Sequence, residues 1–146
     1  PKTAWPPTSC GCVQKGGSAP IMDVIDYGEP VTTKGLNMLY GPGNDLVSAT
    51  ALTAAGAHMV LFSTGRGTPF GAPAPTLKIA TNSQLAARKK TWIDFNAGVV
   101  ADGERTLDEA GADLYRLVLD VASGKQTCAE KKGFREISIF KDGVVL

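Results

Sequence analysis

The strongest chemical signal in the chain is the segment Ser63-Thr64-Gly65-Arg66-Gly67-Thr68-Pro69-Phe70-Gly71, which directly follows the apolar run His58-Met59-Val60-Leu61-Phe62. An apolar run that breaks into glycines around one arginine reads as a buried strand opening into a tight loop. Glycine lets the backbone turn sharply and come close to a ligand. Arginine supplies a rigid fork of donors that matches a carboxylate or a phosphate. A site for a small anionic molecule is built this way. A turn carrying a surface arginine is the competing reading of the same residues.

A second candidate is Lys78, in the middle of the strand-like run Thr76-Leu77-Lys78-Ile79-Ala80. A buried lysine is costly unless paired. It is therefore either matched, with Asp94 as the partner on offer, or turned toward a ligand. Four successive strand ends carry Asn, Thr, Gly or Arg and no large apolar residue. They are Gly41-Pro42-Gly43-Asn44-Asp45, Ser63 to Thr68, Thr81-Asn82 and Asn96-Ala97-Gly98. In open parallel sheets, ligands bind beyond the carboxyl ends of the strands. Asn44, Arg66, Asn82 and Asn96 are thus expected on one sheet edge. His58, the sole histidine, begins its strand at the opposite end and reads as structural or surface. Trp92, Phe95, Phe62 and Phe140 read as core.

Other chemistries fit poorly. Gly41-Pro42-Gly43 precedes a helix, but the third glycine of a dinucleotide fingerprint would fall at Leu46, and no GK[ST] is present, so no nucleotide is expected. The 3 cysteines, Cys10, Cys12 and Cys128, make an odd count without a CxxC pair. A secreted disulfide framework does not fit that count. Free thiols in a reducing cytoplasm do, and a Cys3His zinc set with His58 is the minor alternative. A formal net charge of +1 gives no bias toward nucleic acid or anionic membrane. No apolar stretch reaches membrane-span length. Pro1 to Thr8 lack the features of a signal peptide and read as a cut end.

The elements that must position these residues alternate. An irregular arm is expected over 1–18, with a helical turn near Cys12-Val13-Gln14-Lys15. Apolar spacing at Ile21, Val24 and Ile25 predicts a short helix from Ala19 to Tyr27. A strand at 36–40 leads to a helix from Leu46 to Ala55, capped by Asn44 or Asp45, and then to a strand at 59–62. That unit is long enough for parallel pairing through a right-handed crossover. A strand at 76–80, a helix ending near Lys90 and a strand at 92–95 follow. Thr106-Leu107-Asp108-Glu109 is a capping box opening an amphipathic helix that ends at Ser123-Gly124. A last strand at 136–141 and a turn at Asp142-Gly143 complete the pattern. The expected fold is a single α/β domain over 1–146: three-layer, mostly parallel, with helices on both faces, Rossmann-like without a nucleotide fingerprint.

The chain also carries, in order, Cys12-Val13-Gln14-Lys15-Gly16-Gly17, Gly41-Pro42-Gly43-Asn44-Asp45, Thr64-Gly65-Arg66-Gly67-Thr68-Pro69, Lys78-Ile79-Ala80-Thr81-Asn82 and Trp92-Ile93-Asp94-Phe95-Asn96-Ala97-Gly98. Together these resemble the C-terminal domain of the altronate/galactarate dehydratase family of sugar-acid dehydratases, across nearly the whole chain and nearer the altronate branch. The resemblance implies a cytoplasmic bacterial hydro-lyase that converts a sugar acid to a 2-keto-3-deoxy acid. It also implies a divalent metal, typically iron(II), and a much longer polypeptide whose preceding domains are partners of this one. Dehydration needs a base for the proton beside the carboxylate, and an acid or metal for the departing hydroxyl. This chain has no His, Cys, Asp and Glu cluster with ligand spacing, so catalytic base and metal ligands are expected in the preceding domains. The implied role here is substrate binding, without turnover by the domain alone. Arg66 would hold a carboxylate, Thr64, Thr68 and Asn82 the hydroxyls, and the N–H groups of Gly65 and Gly67 developing negative charge. Asn44, Lys78 and Asn96 complete the candidate set. Homo-oligomerisation stays open. A stand-alone carboxylate-binding module and a structural or oligomerisation domain are the alternatives.

Overall fold

A computed structural model describes residues 16–138. Parallel strands form two separate sheets. β1 (Ile21–Ile25) pairs with β2 (Leu36–Leu39), while β3 (Val60–Thr64), β4 (Thr76–Ala80) and β5 (Phe95–Asn96) follow in that order in the second sheet. The helices are α1 (Asp45–Ala54), α2 (Ser83–Arg88), α3 (Gly98–Ala101), α4 (Leu107–Ala122) and α5 (Cys128–Lys131). The fold class is α/β with open parallel sheets.

β4 is the axis of the second sheet. It is hydrogen-bonded on both sides, from Val60↔Thr76 to Thr64↔Ala80 against β3, and at Ile79↔Phe95 and Ala80↔Asn96 against β5. Accordingly Thr76, Leu77, Lys78 and Ala80 are all buried. Alanine-rich α1 brings Ala49 into a cluster with Val60, Phe70 and Ala72, where the rings of Phe62 and Phe70 lie 5.5 Å apart. A second cluster joins Ala80, Leu85 and Ile93, so that α2 lies against the sheet. Asn44 caps α1, its side chain accepting from the N–H groups of Leu46 and Val47. The capping box at Thr106 and Glu109 forms as expected. Ala110 and Val121 of α4 are buried, while Leu107 and Leu119 face solvent.

Several expectations need correction. The segment expected as a helix from Ala19 to Tyr27 contains strand β1. Its spacing over one turn is equally compatible with a strand, and its β-branched residues gain from pairing with β2. β2 does not pair with β3, so the expected crossover unit does not close one sheet. Of the expected strand at 92–95 only Phe95 is extended, as the first residue of β5. Trp92 and Ile93 instead close a turn, their N–H groups donating to the Lys89 carbonyl. Glu136 to Ser138 are irregular. The rest of that expected strand lies outside the described residues, as do Phe140, the Asp142-Gly143 turn, Cys10, Cys12 and the helical turn at 12–15. α5 was not foreseen, although Thr127-Cys128-Ala129-Glu130 is a second capping box that could have been read.

Candidate functional site

Because β3 and β4 run parallel, their carboxyl ends meet at one edge. There the Thr64 hydroxyl accepts from the N–H of Gly67 at 2.9 Å and more loosely from that of Arg66 at 3.4 Å. This closes a tight turn in which Gly67 has φ +75°, a conformation that favours glycine. Thr81 N–H donates to the Thr64 carbonyl at 3.0 Å. Asn82 works at both ends: its carbonyl oxygen accepts from Leu85 N–H at 2.8 Å, capping α2, and its amide donates to the Gly65 carbonyl at 3.1 Å. Lys89 reaches back from the end of α2, donating to the carbonyls of Arg66 at 3.1 Å and Gly67 at 3.2 Å. Its ammonium also stands 4.5 Å from the centre of the Trp92 ring.

Asn96 belongs to the same edge. Its amide donates to the Ser83 hydroxyl at 2.9 Å and its carbonyl accepts from Gly98 N–H at 3.0 Å. Gly98 permits this approach, since a Cβ there would fall 2.3 Å from the Ser83 nitrogen. Asn82 and Asn96 are thus engaged in holding the strand ends together.

What this frame leaves open is a pocket of about 250 Å³ lined by Gly65, Arg66, Asn82, Gln84, Leu85, Arg88 and Lys89. Three of those side chains are cationic. The Arg66 guanidinium is exposed and has no hydrogen-bond or ion-pair partner among the described residues. Of the two loop amides, that of Gly67 is taken by Thr64, while that of Gly65 donates to no described residue. The arrangement suits an anion: an unengaged guanidinium, with Arg88 and Lys89 adding positive potential. Gln84, Arg88 and Lys89 were missed from sequence. They lie on the helix expected to end near Lys90; α2 starts at the strand end and is short, so its last residues also reach the loop.

Not all of the expected residues gather here. Asn44 lies beyond β2, in the other sheet, and does not line the pocket. Lys78 is 1% exposed and its ammonium donates to the Thr68 carbonyl, so it secures the loop from beneath. Its pKa is lowered, chiefly by burial, against the opposing charges of Glu136 and Asp94. The pairing expected between Lys78 and Asp94 takes another form. The Asp94 carboxylate accepts from the backbone N–H of Lys78 at 2.8 Å and from that of Cys128 at 2.7 Å. Burial, helped by Asp94, pushes the Cys128 thiol pKa up, which keeps it protonated and unreactive. His58 is exposed just before β3, at the end of the sheet away from the pocket. Among the described residues no group of three or more His, Cys, Asp or Glu could hold a metal ion, so these residues do not fit a divalent metal by themselves. No described helix is long and apolar enough to cross a membrane.

An α/β domain with a cationic pocket at its strand ends is, as a class, a domain suited to a small anionic ligand. The chain belongs to the D-galactarate/altronate dehydratase family, whose C-terminal family model matches residues 5–145. It is 54% identical over 138 residues to an altronate dehydratase of Escherichia coli (strain K12), a match covering 94% of this chain and 28% of that protein. An altronate dehydratase of Bacillus subtilis (strain 168) is 49% identical over 138 residues, with the same coverage of 94% and 28%. A galactarate dehydratase (L-threo-forming) of Escherichia coli (strain K12) is 38% identical over 138 residues, covering 92% of this chain and 26% of that protein. The chain therefore spans less than a third of the length of these relatives.

Proposed function

We propose that this chain is the substrate-holding C-terminal part of a cytoplasmic sugar-acid dehydratase, a hydro-lyase that converts altronate to a 2-keto-3-deoxy acid. The observation that carries this reading is the unengaged Arg66 guanidinium in a cationic strand-end pocket, in a chain of this family. Altronate is preferred to galactarate because identity to the altronate dehydratases, 54% and 49%, exceeds the 38% to the galactarate enzyme.

Elimination of water begins with loss of the proton beside the carboxylate, which drives negative charge onto the carboxylate oxygens. Arg66 meets that carboxylate with two parallel N–H donors, and Arg88 adds positive potential beside it. The Gly65 amide supplements them. Thr64 and Thr68 belong to the same loop but do not line the pocket, the Thr64 hydroxyl shaping the turn instead. Lys78 holds the loop from beneath, Asn82 and Lys89 brace it while lining the pocket, and Asn96 holds the start of α2. The base lies in the part of the enzyme outside this chain. So do the ligands of a divalent metal, iron(II), whose chemistry is to assist departure of the hydroxyl.

The test is turnover by the full-length protein with iron(II), on altronate and on galactarate. Conversion of altronate to the keto-deoxy acid, with galactarate slower, is expected, together with no turnover by the 146-residue chain alone. Inactivity of the full-length protein on both acids would overturn the reading.

A further inference from the structure

Among the described residues, β1 and β2 pair only with each other. Their register sets Val24 beside Met38 and Ile25 beside Leu39, and Tyr40 N–H continues the ladder to the Ile25 carbonyl at 2.9 Å. Paired residues share a face, and faces alternate along each strand. Ile25 and Leu39 therefore stand on one face, and Val24, Met38 and Tyr40 on the other; the register shifts between Ile21 and Asp23, and the Met22 side chain lies against Gly35. Ile25 on the first face is 7% exposed. The second is open: Val24 is 73% exposed, Met38 48% and Tyr40 72%.

A surface of this kind is out of place in water. Parallel sheets occur with both faces covered, and a two-stranded sheet is marginal alone. Each strand of the pair also keeps an outer edge of hydrogen-bonding groups to which no described strand pairs. Val24, Met38 and Tyr40 are neighbouring exposed apolar side chains on this face, the kind of residue that a permanent interface covers.

We propose that this face is where the remainder of the full-length polypeptide docks, covering Val24, Met38 and Tyr40 with apolar side chains and adding to the β1–β2 sheet. The choice of occupant follows from length. The matched relatives align with this chain over 28% of their own sequence, and the matching family model is a C-terminal one. More than two thirds of such a protein lies outside the chain. The inference rests on the reading above, that the chain is part of such an enzyme.

Methionine oxidation tests it, because the thioether is attacked only where oxidant reaches it. The full-length protein is treated with dilute hydrogen peroxide at a concentration where light scattering shows monomers. Oxidation of Met38 is read by mass spectrometry against the same protein unfolded in guanidinium. A rate about tenfold or more below the unfolded reference is expected there, since a covered thioether is shielded from oxidant. Rates within about twofold of that reference would overturn the proposal. Protection that appears only when the protein associates would also overturn it, by making a second copy the occupant. Altronate turnover is measured on the same sample. Protection without turnover counts against the proposed function alone, and turnover without protection counts against the docking surface alone.

Discussion

The two sheets of this domain are finished to different degrees. In the β3–β4–β5 sheet the central strand is buried, its one lysine included, and its strand ends are tied by Thr64, Asn82, Asn96 and Lys89. In the β1–β2 sheet Ile25 is buried on one face, and the other exposes Val24, Met38 and Tyr40. The difference separates what the chain can do alone from what it does as part of something larger. The first sheet already presents a shaped cationic pocket. The second is a half-built layer, whose apolar residues are useful only when something lies on them.

A matched pair of substitutions sharpens that contrast most. Leu77 is 0% exposed in β4 and Val24 is 73% exposed in β1. In the 146-residue chain, Leu77→Ala should cost about 2–5 kcal/mol of unfolding free energy, from lost burial and the cavity left behind. Val24→Ala should cost about 0.5 kcal/mol or less, as exposed positions do. Urea denaturation of both variants measures this. Equal losses would mean that β1–β2 is packed as tightly as the central sheet.

A smaller effect is expected at Asp94. Its carboxylate accepts from two backbone N–H groups, on β4 and α5, and so joins the sheet to the helix that follows. Asp94→Ala leaves both donors without their acceptor and should cost on the order of 2–4 kcal/mol. Asp94→Asn, which keeps one acceptor oxygen, should cost less. Thermal unfolding of the two variants decides the order. If the alanine variant is as stable as wild type, the join between β4 and α5 is incidental.

Much of the central sheet was legible from sequence because its signals are local. Thr76 to Ala80 alternates after the glycine- and proline-bearing run Gly71 to Pro75, Asn44 and Asn82 stand where caps belong, and Thr106-x-x-Glu109 announces α4. β1 was misread because a five-residue strand and a short helix can share the same apolar spacing, and only the partner strand decides between them. The pocket was half legible. Arg66 and its glycines were visible as a loop that could meet an anion. Arg88 and Lys89 were not, since their approach depends on how far α2 runs before it ends. Asn82 and Asn96 look like ligand donors in sequence, but in the fold each also ties a strand end to the loop or helix beside it. Polar residues at strand ends must first satisfy the backbone around them.

The central claim is that the Arg66 guanidinium holds the carboxylate of the sugar acid. Steady-state kinetics of the full-length protein on altronate, with Arg66→Ala and Arg66→Lys, tests it most directly. The account predicts a loss of kcat/KM of about 2–4 kcal/mol for the alanine variant, roughly 30- to 1000-fold. It also predicts a clear loss for the lysine variant, which keeps the charge but not the two-pronged donor. If both variants turn over altronate with wild-type kcat/KM, the arginine is only a surface residue on a turn and the pocket is not the substrate site.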